Sequence, residues 1–332
     1  MDYASSGVDI EKEEEAVSAI SRLIKKSLAF REGKIGAPLT DIGQFSGVVD
    51  LGGGKALAIA TDGVGTKLLV AKELNTYRTV GIDCIAMNVN DIICCGATPI
   101  SFVDTVSIQR PNNEMMEQIG EGLLAGAEDA DIAIVGGETA TVPELLSGDG
   151  DGMDLMGTAV GVVDKDKIIT GNDISPGDIV LGIESSGVHS NGFTLARKAV
   201  PKDEYHVLLE PTRIYVKPIL KLLEDVRPTG LVHMTGTGLL NLKRLKKGIG
   251  FKIEMPDPLA PFALIQHYAE ASDEEMYRTF NMGIGFVVIV RKDDAKMAQR
   301  ILNGFYPTFI LGEITDSGII EATINTGKII KL

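Results

Sequence analysis

The sequence contains no tryptophan and only three cysteines, Cys84, Cys94 and Cys95. Neither the number nor the spacing of these cysteines suits a disulfide framework or a four-cysteine zinc site. We interpret them as reduced thiols without a catalytic role. Their scarcity excludes the class of small secreted domains that disulfides hold together.

The chain also lacks long apolar runs. A membrane-spanning helix needs about 20 apolar residues, and the longest clear run here is residues 284–290. Residues 1–5 carry neither the basic segment nor the apolar segment of a secretory signal. We therefore expect a cytosolic protein without a membrane partner.

Positive charge is in deficit. The chain has 32 Lys and Arg against 46 Asp and Glu, which gives a formal net charge of −14. This balance opposes binding to nucleic acid by bulk electrostatics. Any polyphosphate ligand would have to be held locally, by backbone N–H groups, a few cations and bound metal.

Two familiar nucleotide-binding motifs are missing or misleading. No Gly-Lys pair is followed by Ser or Thr, so the sequence has no Walker A loop. Residues 120–125 have the GxGxxG/A spacing, but they lie within a helical pattern of apolar residues and follow no strand. We therefore predict no Rossmann dinucleotide site.

Strand-like and helix-like periods alternate along the 332 residues, a length that suits two domains. We predict an α/β fold with helices flanking the sheets, and domains at 1–168 and 169–332, because residues 168–177 read as a junction. The predicted strands cover residues 56–61, 100–108, 131–135, 155–163, 178–184, the neighbourhood of 231, 285–290 and 308–313. The main predicted helices cover residues 9–31, 81–96, 190–199, 215–225, 261–271 and 293–302.

A phosphate-and-metal corner is predicted at residues 62–67, where the first predicted strand ends. Gly63 and Gly65 allow backbone N–H groups to approach an anion closely, Lys67 can meet phosphate oxygens, and Asp62 can hold Mg²⁺. Taken alone, the segment could equally be a plain connection with a solvated lysine. The other motifs of the chain decide between the two interpretations.

The predicted helix 81–96 has a polar side as well as an apolar stripe. On a helical wheel, Asp83, Asn88, Asn90 and Asp91 project away from the apolar stripe, together with the three cysteines. Solvated helix faces favour Lys, Glu and Gln. Short acids and amides on such a side therefore indicate a cation that comes from elsewhere.

Further carboxylates follow or interrupt other predicted strands. Asp104 interrupts the strand at 100–108, and Glu138 follows two glycines at the close of another apolar run. A magnesium site for nucleotide phosphates needs only a few such oxygens, because water and phosphate fill the rest. The first half thus offers five candidate acids: Asp62, Asp83, Asp91, Asp104 and Glu138.

Two loops in the second half place histidine beside small residues. Residues 185–192 lie between a predicted strand and a predicted helix, and they bring His189 and Asn191 to a helix N-terminus, a favourable anion position. His233 opens a comparable segment, 233–238. The small neighbours favour a functional role for both histidines.

The order of these motifs resembles the phosphoribosylformylglycinamidine cyclo-ligase family, also called the aminoimidazole ribonucleotide synthetases. The resemblance covers nearly the whole chain. It rests on GVDI (7–10), DGVGTK (62–67), GIDCIAMNVNDIICCGATP (81–99), GGETA (136–140), SSGVHSNG (185–192), EPTRIYVKPIL (210–220), HMTGTG (233–238) and EMYRTFNMGIG (275–285).

The resemblance implies a two-domain fold like that of the family, with a homodimer whose N-terminal sheets pair into a barrel. It also implies a groove for ATP and Mg²⁺ that both domains line. The implied reaction is the ATP-dependent ring closure of formylglycinamidine ribonucleotide to 5-aminoimidazole ribonucleotide in purine biosynthesis. In that reaction ATP phosphorylates an amide oxygen and an internal nitrogen closes the ring.

The family's site residues can be carried over to this sequence. The main metal ligands would be Asp62 and Asp91, followed by Asp83, Asp104 and Glu138. The residues expected to bind ATP are Lys34, Gly63, Gly65, Thr66, Lys67, Asn88, Glu138 and Asn191. The residues expected to act in catalysis are His189, His233, Lys67 and Asp91.

Two other interpretations stay open. A kinase or synthetase of the same superfamily, such as thiamine-phosphate kinase or selenophosphate synthetase, would share the ATP-binding half. Selenophosphate synthetase normally needs a reactive Cys or selenocysteine near its N-terminus, and none precedes Cys84. A non-catalytic nucleotide-binding protein would keep the glycines and lose the acids, whereas here the acids are intact.

Overall fold

The computed structural model describes residues 10–146 and 151–332. These residues form a five-stranded sheet from the N-terminal half and a seven-stranded sheet from the C-terminal half, each with helices packed against it. The predicted α/β class is confirmed. The predicted helix start at Asp9 and the motif at 7–10 lie wholly or partly outside the described residues.

The five-stranded sheet has the order β1-β2-β5-β3-β4, and its neighbours are antiparallel except for the parallel pair β3 and β4. A 3-10 helix at Lys25–Arg31 follows the first α-helix. The elements of this half are α1 (Ile10–Ile24), β1 (Gly47–Gly52), β2 (Lys55–Gly63), α2 (Lys67–Glu73), α3 (Arg78–Ile93), β3 (Thr98–Ile108), α4 (Asn113–Ala130), β4 (Ala133–Thr141) and β5 (Met153–Asp164).

The seven-stranded sheet has the order β12-β11-β8-β10-β6-β9-β7, in which only β11 and β8 are parallel. Its elements are β6 (Ile179–Glu184), α5 (Phe193–Ala199), α6 (Val216–Asp225), β7 (Gly230–His233), β8 (Gly250–Glu254), α7 (Ala260–Ala269), α8 (Asp273–Thr279), β9 (Ile284–Val290), α9 (Ala295–Leu302), β10 (Thr308–Thr315), β11 (Ile320–Thr323) and β12 (Ile329–Lys331). Within the described ranges, every helix is too short or too polar to cross a bilayer.

Most predicted elements are present with shifted ends, but β1, β8, α8, β11 and β12 were not predicted. The strand β1 lies inside the segment 33–54, which was expected to be a loop, and it pairs with β2 as a hairpin. Glycines at both ends of β1 and in the hairpin turn hide its period-2 pattern. The strand β12 has only three residues, too few to show a period.

The five-stranded sheet has one covered face and one open face. On β2, Ala56 and Ala58 are fully buried against the helices. The residue after Ala58, Ile59, is 40% exposed. Val103 on β3 and Met156 on β5 are also exposed, by 39% and 43%. Because successive side chains of a strand point to opposite faces, these exposed residues give the sheet an open apolar face.

Most of α3 is buried, including three of the four residues on its polar side, which corrects the expectation that this side projects away from the core. Asp83, Asn88 and Asn90 are all 0% exposed. A helical wheel separates polar from apolar residues but does not show what covers each side. Here the C-terminal half covers the polar side, through hydrogen bonds described below.

The helices α3 and α4 cross at very short range. A Cβ added to Gly122 of α4 would lie 1.9 Å from the Arg78 carbonyl oxygen of α3. The GxGxxG-like segment at 120–125 is therefore helical, as expected, and at least Gly122 has a packing role. The close crossing fixes α3 between α4 and the sheet.

We predict that Gly122→Ala destabilises the protein by about 1–3 kcal/mol, because the new methyl group meets backbone rather than a flexible side chain. The matched control is Gly120→Ala in the same helix, where nothing lies within 4 Å of the added Cβ. That change should stabilise the helix by up to ~1 kcal/mol. Urea unfolding of both variants measures the difference, and equal effects would contradict the packing role.

Candidate functional site

The candidate site lies where β2 ends beside the last turns of α3. Asn88 of α3 donates its Nδ2 to the Asp62 carbonyl oxygen at 3.2 Å and to the Cys84 carbonyl oxygen at 2.9 Å. Asp91 follows Asn88 by three residues and therefore lies on the neighbouring turn of the same side. Burial first, and then the negative charge of Asp91, raise the pKa of Asp62. The structure thus brings these two predicted metal ligands together.

Asp91 also contacts the C-terminal half. Its Oδ1 lies 2.9 Å from Nδ1 of His233, whose ring is fully buried at the end of β7. The Nδ2 of Asn90 lies 3.4 Å from the other ring nitrogen of His233. This network assigns the proton to Nδ1, which donates to the carboxylate, and leaves Nε2 as the acceptor. An acid from one half and a histidine from the other therefore share one site.

Asp104 lies on the same sheet face as Asp62 but two strands away. Gly157 of β5 pairs with Asp62 on one side and with Asp104 on the other. Neighbouring strands are about 4.8 Å apart, so the two backbones are separated by roughly 10 Å. Burial raises the pKa of Asp104. This acid therefore lies on the face that holds Asp62, with β5 between them.

The structure does not bring Glu138 to the other acids. Gly137 of β4 is paired with Asp104, and its missing Cβ would lie 2.4 Å from that carboxylate, so these two residues share a face. Glu138 is the next residue and points to the opposite, open face, where it is exposed. The prediction that Glu138 joins the metal site is corrected by this alternation.

Lys67 and Asp83, which were predicted to meet phosphate and metal, contact each other in the structure. Lys67 Nζ lies 2.8 Å from Asp83 Oδ2, and both side chains are 0% exposed. Lys67 Nζ also donates to the Glu210 carbonyl oxygen at 2.7 Å. Burial lowers the pKa of Lys67, although the charge of Asp83 opposes this shift. In this structure the two side chains form an ion pair with each other, and neither is open to solvent.

The rest of the predicted corner remains open. Gly65 has a φ of +68°, and nothing lies within 4 Å of where its Cβ would be. A glycine here permits the turn and leaves the backbone accessible. Thr66 Oγ1 lies 3.4 Å from Thr194 Oγ1 of the C-terminal half. Lys34 is exposed and donates to the Phe30 carbonyl oxygen at 3.3 Å, so its expected role with phosphate stays a prediction.

The histidine loop at 185–192 holds two buried donors that have no partner among the described residues. His189 is 1% exposed and accepts a hydrogen bond from the Ser186 backbone N–H through Nε2 at 3.2 Å. Burial lowers the pKa of His189 well below its usual value, so the ring is neutral and Nδ1 carries its proton. This Nδ1 and the Nδ2 of Asn191 are the two unpartnered donors.

The groups present fit a magnesium ion that also binds phosphate. Within the part of the chain that the structure describes, no three acidic, histidine or cysteine side chains are placed to hold a metal alone. Mg²⁺ usually takes one or two carboxylates and completes its shell with water and substrate phosphate. Asp62 and Asp91 supply two carboxylates, and the buried Asn88 Oδ1, which lacks a described partner, supplies a further oxygen.

Sequence reasoning missed two features of this site. Arg244 lies over the Phe45 ring at 4.1 Å, and its positive charge partly offsets the raised pKa of Asp62. The segment 210–215 contacts α3 through hydrogen bonds that the backbone N–H groups of Thr212 and Tyr215 donate to Asp83 Oδ1 and Asn90 Oδ1. Its sequence, EPTRIY, is part of one of the family motifs, but nothing in it predicts an interdomain contact.

The three cysteines are free and buried. Burial raises the pKa of Cys84, Cys94 and Cys95. A thiol that resists ionisation is a poor nucleophile. This agrees with the interpretation of the cysteines as non-catalytic thiols.

Comparison with known proteins identifies relatives over almost the whole chain. Residues 43–163 match the family of AIR synthase related proteins, N-terminal domain, and residues 175–325 match the C-terminal domain of the same family. The phosphoribosylformylglycinamidine cyclo-ligase of Pyrococcus furiosus is 52% identical over 330 residues, which cover 96% of each chain.

Solved structures with lower identity share the fold. The crystal structure of hydrogenase maturation protein HypE in complex with ATP has a TM-score of 0.65 and 19% identity, and the match covers 95% of this chain and 94% of that one. AaThiL complexed with AMPPCP and TMP has a TM-score of 0.63 and 17% identity, with 94% and 93% covered. From the two family matches and the 52% identity, we conclude that the chain belongs to the AIR synthase related family, alongside the phosphoribosylformylglycinamidine cyclo-ligases.

Proposed function

We propose that this chain catalyses the ATP-dependent ring closure of formylglycinamidine ribonucleotide to 5-aminoimidazole ribonucleotide in the cytosol. The γ-phosphoryl group of ATP goes to the amide oxygen, ADP leaves, and the tethered nitrogen then closes the ring and expels phosphate. The single observation that carries the proposal is the contact between Asp91 and His233, at 2.9 Å, because it joins both halves in one site. The 52% identity to a named cyclo-ligase gives the reaction.

The acids of the N-terminal half form the cation side of the proposed site. Asp62, the second oxygen of Asp91 and Asn88 Oδ1 would hold Mg²⁺, which neutralises charge on the triphosphate when it is bound. Burial first, and then the nearby carboxylate of Asp91, raise the pKa of Asp62, and a bound cation would oppose both effects. The open backbone at Gly65 would approach the phosphates.

The C-terminal half supplies donors on the other side. His189 Nδ1 and Asn191 Nδ2 are buried N–H groups without described partners, so they suit the oxygens of an anionic substrate. Because His189 is neutral, we propose that it donates a hydrogen bond to the reacting oxygen rather than accepting a proton. His233 holds Asp91 in place and, in this proposal, acts on the reaction through that carboxylate.

We further propose a homodimer in which the open faces of two N-terminal sheets pair. The support is the exposed apolar face with Ile59, Val103 and Met156, together with the edge strand β4, most of which is exposed. Large exposed apolar surfaces usually mark an interface. The domain boundary near residue 168 is likewise a proposal, and the family matches at 43–163 and 175–325 support it.

The proposed reaction predicts ADP release that depends on formylglycinamidine ribonucleotide and is accompanied by an equal amount of aminoimidazole product. Coupled ADP assays and detection of the aminoimidazole measure both. The matched control replaces the substrate with thiamine phosphate, which a kinase of the superfamily would phosphorylate. ADP release with thiamine phosphate and none with formylglycinamidine ribonucleotide would refute the proposed function.

The neutral state of His189 predicts how stability depends on pH. The unfolded chain binds a proton at this histidine below about pH 6.5 and the folded chain does not, so the free energy of unfolding rises with pH up to that value. The contribution is at most about 1.4 kcal/mol per pH unit. His189→Asn should remove it, since Asn also tolerates the φ of +62° found there.

The measurement is urea unfolding of the wild type and His189→Asn between about pH 5 and 7.5. The control variant is His206→Asn, a change at an exposed histidine. Its free energy of unfolding should depend on pH as that of the wild type does. A His189→Asn protein whose stability changes with pH as steeply as the wild type would show that His189 is not the buried neutral group described above.

The proposed dimer predicts that Val103→Lys converts the protein to a monomer, because the new charge would be desolvated between two apolar faces. Light scattering at micromolar concentration measures the mass. The control is Leu124→Lys, a change at a residue that is 69% exposed on α4 rather than on the open sheet face. A wild-type monomer, or a Val103→Lys dimer, would contradict the proposed interface.

A further inference from the structure

The ion pair between Lys67 and Asp83 lies sealed at the boundary between the two halves. The atoms Nζ and Oδ2 are 2.8 Å apart, and neither side chain is exposed. Lys67 is the first residue of α2, and Asp83 lies in the second turn of α3. The pair therefore connects two helices of the N-terminal half at a point that solvent does not reach.

The same two side chains hold the C-terminal segment 210–213. Lys67 Nζ donates to the Glu210 carbonyl oxygen at 2.7 Å. The Asp83 Oδ1 accepts from the Thr212 backbone N–H at 2.8 Å and from the Thr212 hydroxyl at 2.6 Å. Three hydrogen bonds to charged groups thus cross the boundary, while the ion pair itself lies within the N-terminal half.

The residues that follow Thr212 contact Asn90, the residue before Asp91 on α3. Asn90 donates its Nδ2 to the Arg213 carbonyl oxygen and accepts from the Tyr215 backbone N–H, each at 2.9 Å. Asp83 and Asn90 are seven residues apart, which is about two helical turns, so both lie on one side of α3. A shift of segment 210–215 would therefore be transmitted to Asp91.

We propose that Lys67 and Asp83 are positioning residues for the proposed reaction and that Lys67 does not bind a phosphate. Their ion pair fixes segment 210–215 against α3 and so sets the contact between Asp91 and His233. A lysine that binds phosphate needs a free ammonium group. Here Nζ already faces a carboxylate, a carbonyl oxygen and the Phe193 ring, whose centroid is 5.6 Å away.

The energetics of buried ion pairs make this inference testable. Removing one partner leaves an uncompensated charge in the interior and is strongly destabilising, whereas replacing both with apolar residues of similar volume can be close to neutral. Stability and positioning can therefore be separated. A double variant can recover folding while it still lacks the acceptor that holds Thr212.

The experiment compares Lys67→Met, Asp83→Asn and the double variant K67M/D83L with the wild type. Each single change should lower the melting temperature by about 5 °C or more, and the double change should recover part of this loss. In the double variant the Kd for ATP, measured by calorimetry, should stay within about tenfold of the wild-type value. The kcat should fall at least about tenfold, because small misplacements affect chemistry more than binding.

A spectroscopic readout reports positioning without any turnover. The ¹⁵N chemical shifts of the His233 ring depend on its contact with Asp91, and we expect them to change in all three variants. The control is Lys202→Met, which breaks an exposed ion pair between the halves. In this pair Lys202 Nζ lies 2.8 Å from Glu73 Oε1, and the lysine side chain is 69% exposed. This variant should leave both the His233 signals and kcat unchanged.

Two results would overturn the inference. A Kd for ATP that rises more than about tenfold in the double variant would make Lys67 a phosphate ligand after all. Unchanged His233 signals and wild-type kcat in the double variant would show that the ion pair stabilises the fold without positioning the site. A wild-type protein that does not convert formylglycinamidine ribonucleotide would refute the proposed function alone, since the His233 signals and the melting temperatures still test the positioning.

Discussion

The site depends on the burial of the polar side of α3 against the C-terminal half. A buried polar group costs free energy unless it is hydrogen-bonded, and here Asp83 and Asn90 obtain their partners across the boundary, from Thr212, Arg213 and Tyr215. Apolar packing alone would allow the halves to slide. Directional hydrogen bonds restrict their relative position to the one in which Asp91 meets His233.

The groups of the site that suit a cation lie on the N-terminal half, and the groups that suit an anion lie on the C-terminal half. On the N-terminal side the structure has acids close together and a buried amide oxygen of Asn88, all of which suit a cation. On the C-terminal side it has the buried N–H groups of His189 and Asn191, which suit oxygen atoms. A chain with a net charge of −14 can therefore hold a polyphosphate locally, although its overall charge repels one.

Much of the fold could be predicted from the sequence, because β2, β3, β5 and β9 carry enough apolar residues to show as strands. The strand β1 could not, since glycines at its ends and in its turn mask the alternation. Asp62 and Asp91, which lie near each other in the structure, could be singled out because short carboxylates at a strand end and on a helix are unusual. The contact of Lys67 with Glu210 could not be predicted, because the two residues are 143 positions apart in sequence and local spacing carries no information about such a contact.

The two halves are held so that Asp62 and Asp91 of one lie beside His233 of the other, where we propose a metal site. The most direct measurement is the anomalous difference map of a crystal grown with Mn²⁺ and a non-hydrolysable ATP analogue. We predict a manganese peak bound by Asp62 and Asp91, on the side of Asp91 away from His233. Manganese held elsewhere, for instance at Glu138 on the open sheet face, with Asp62 and Asp91 free of metal, would contradict it.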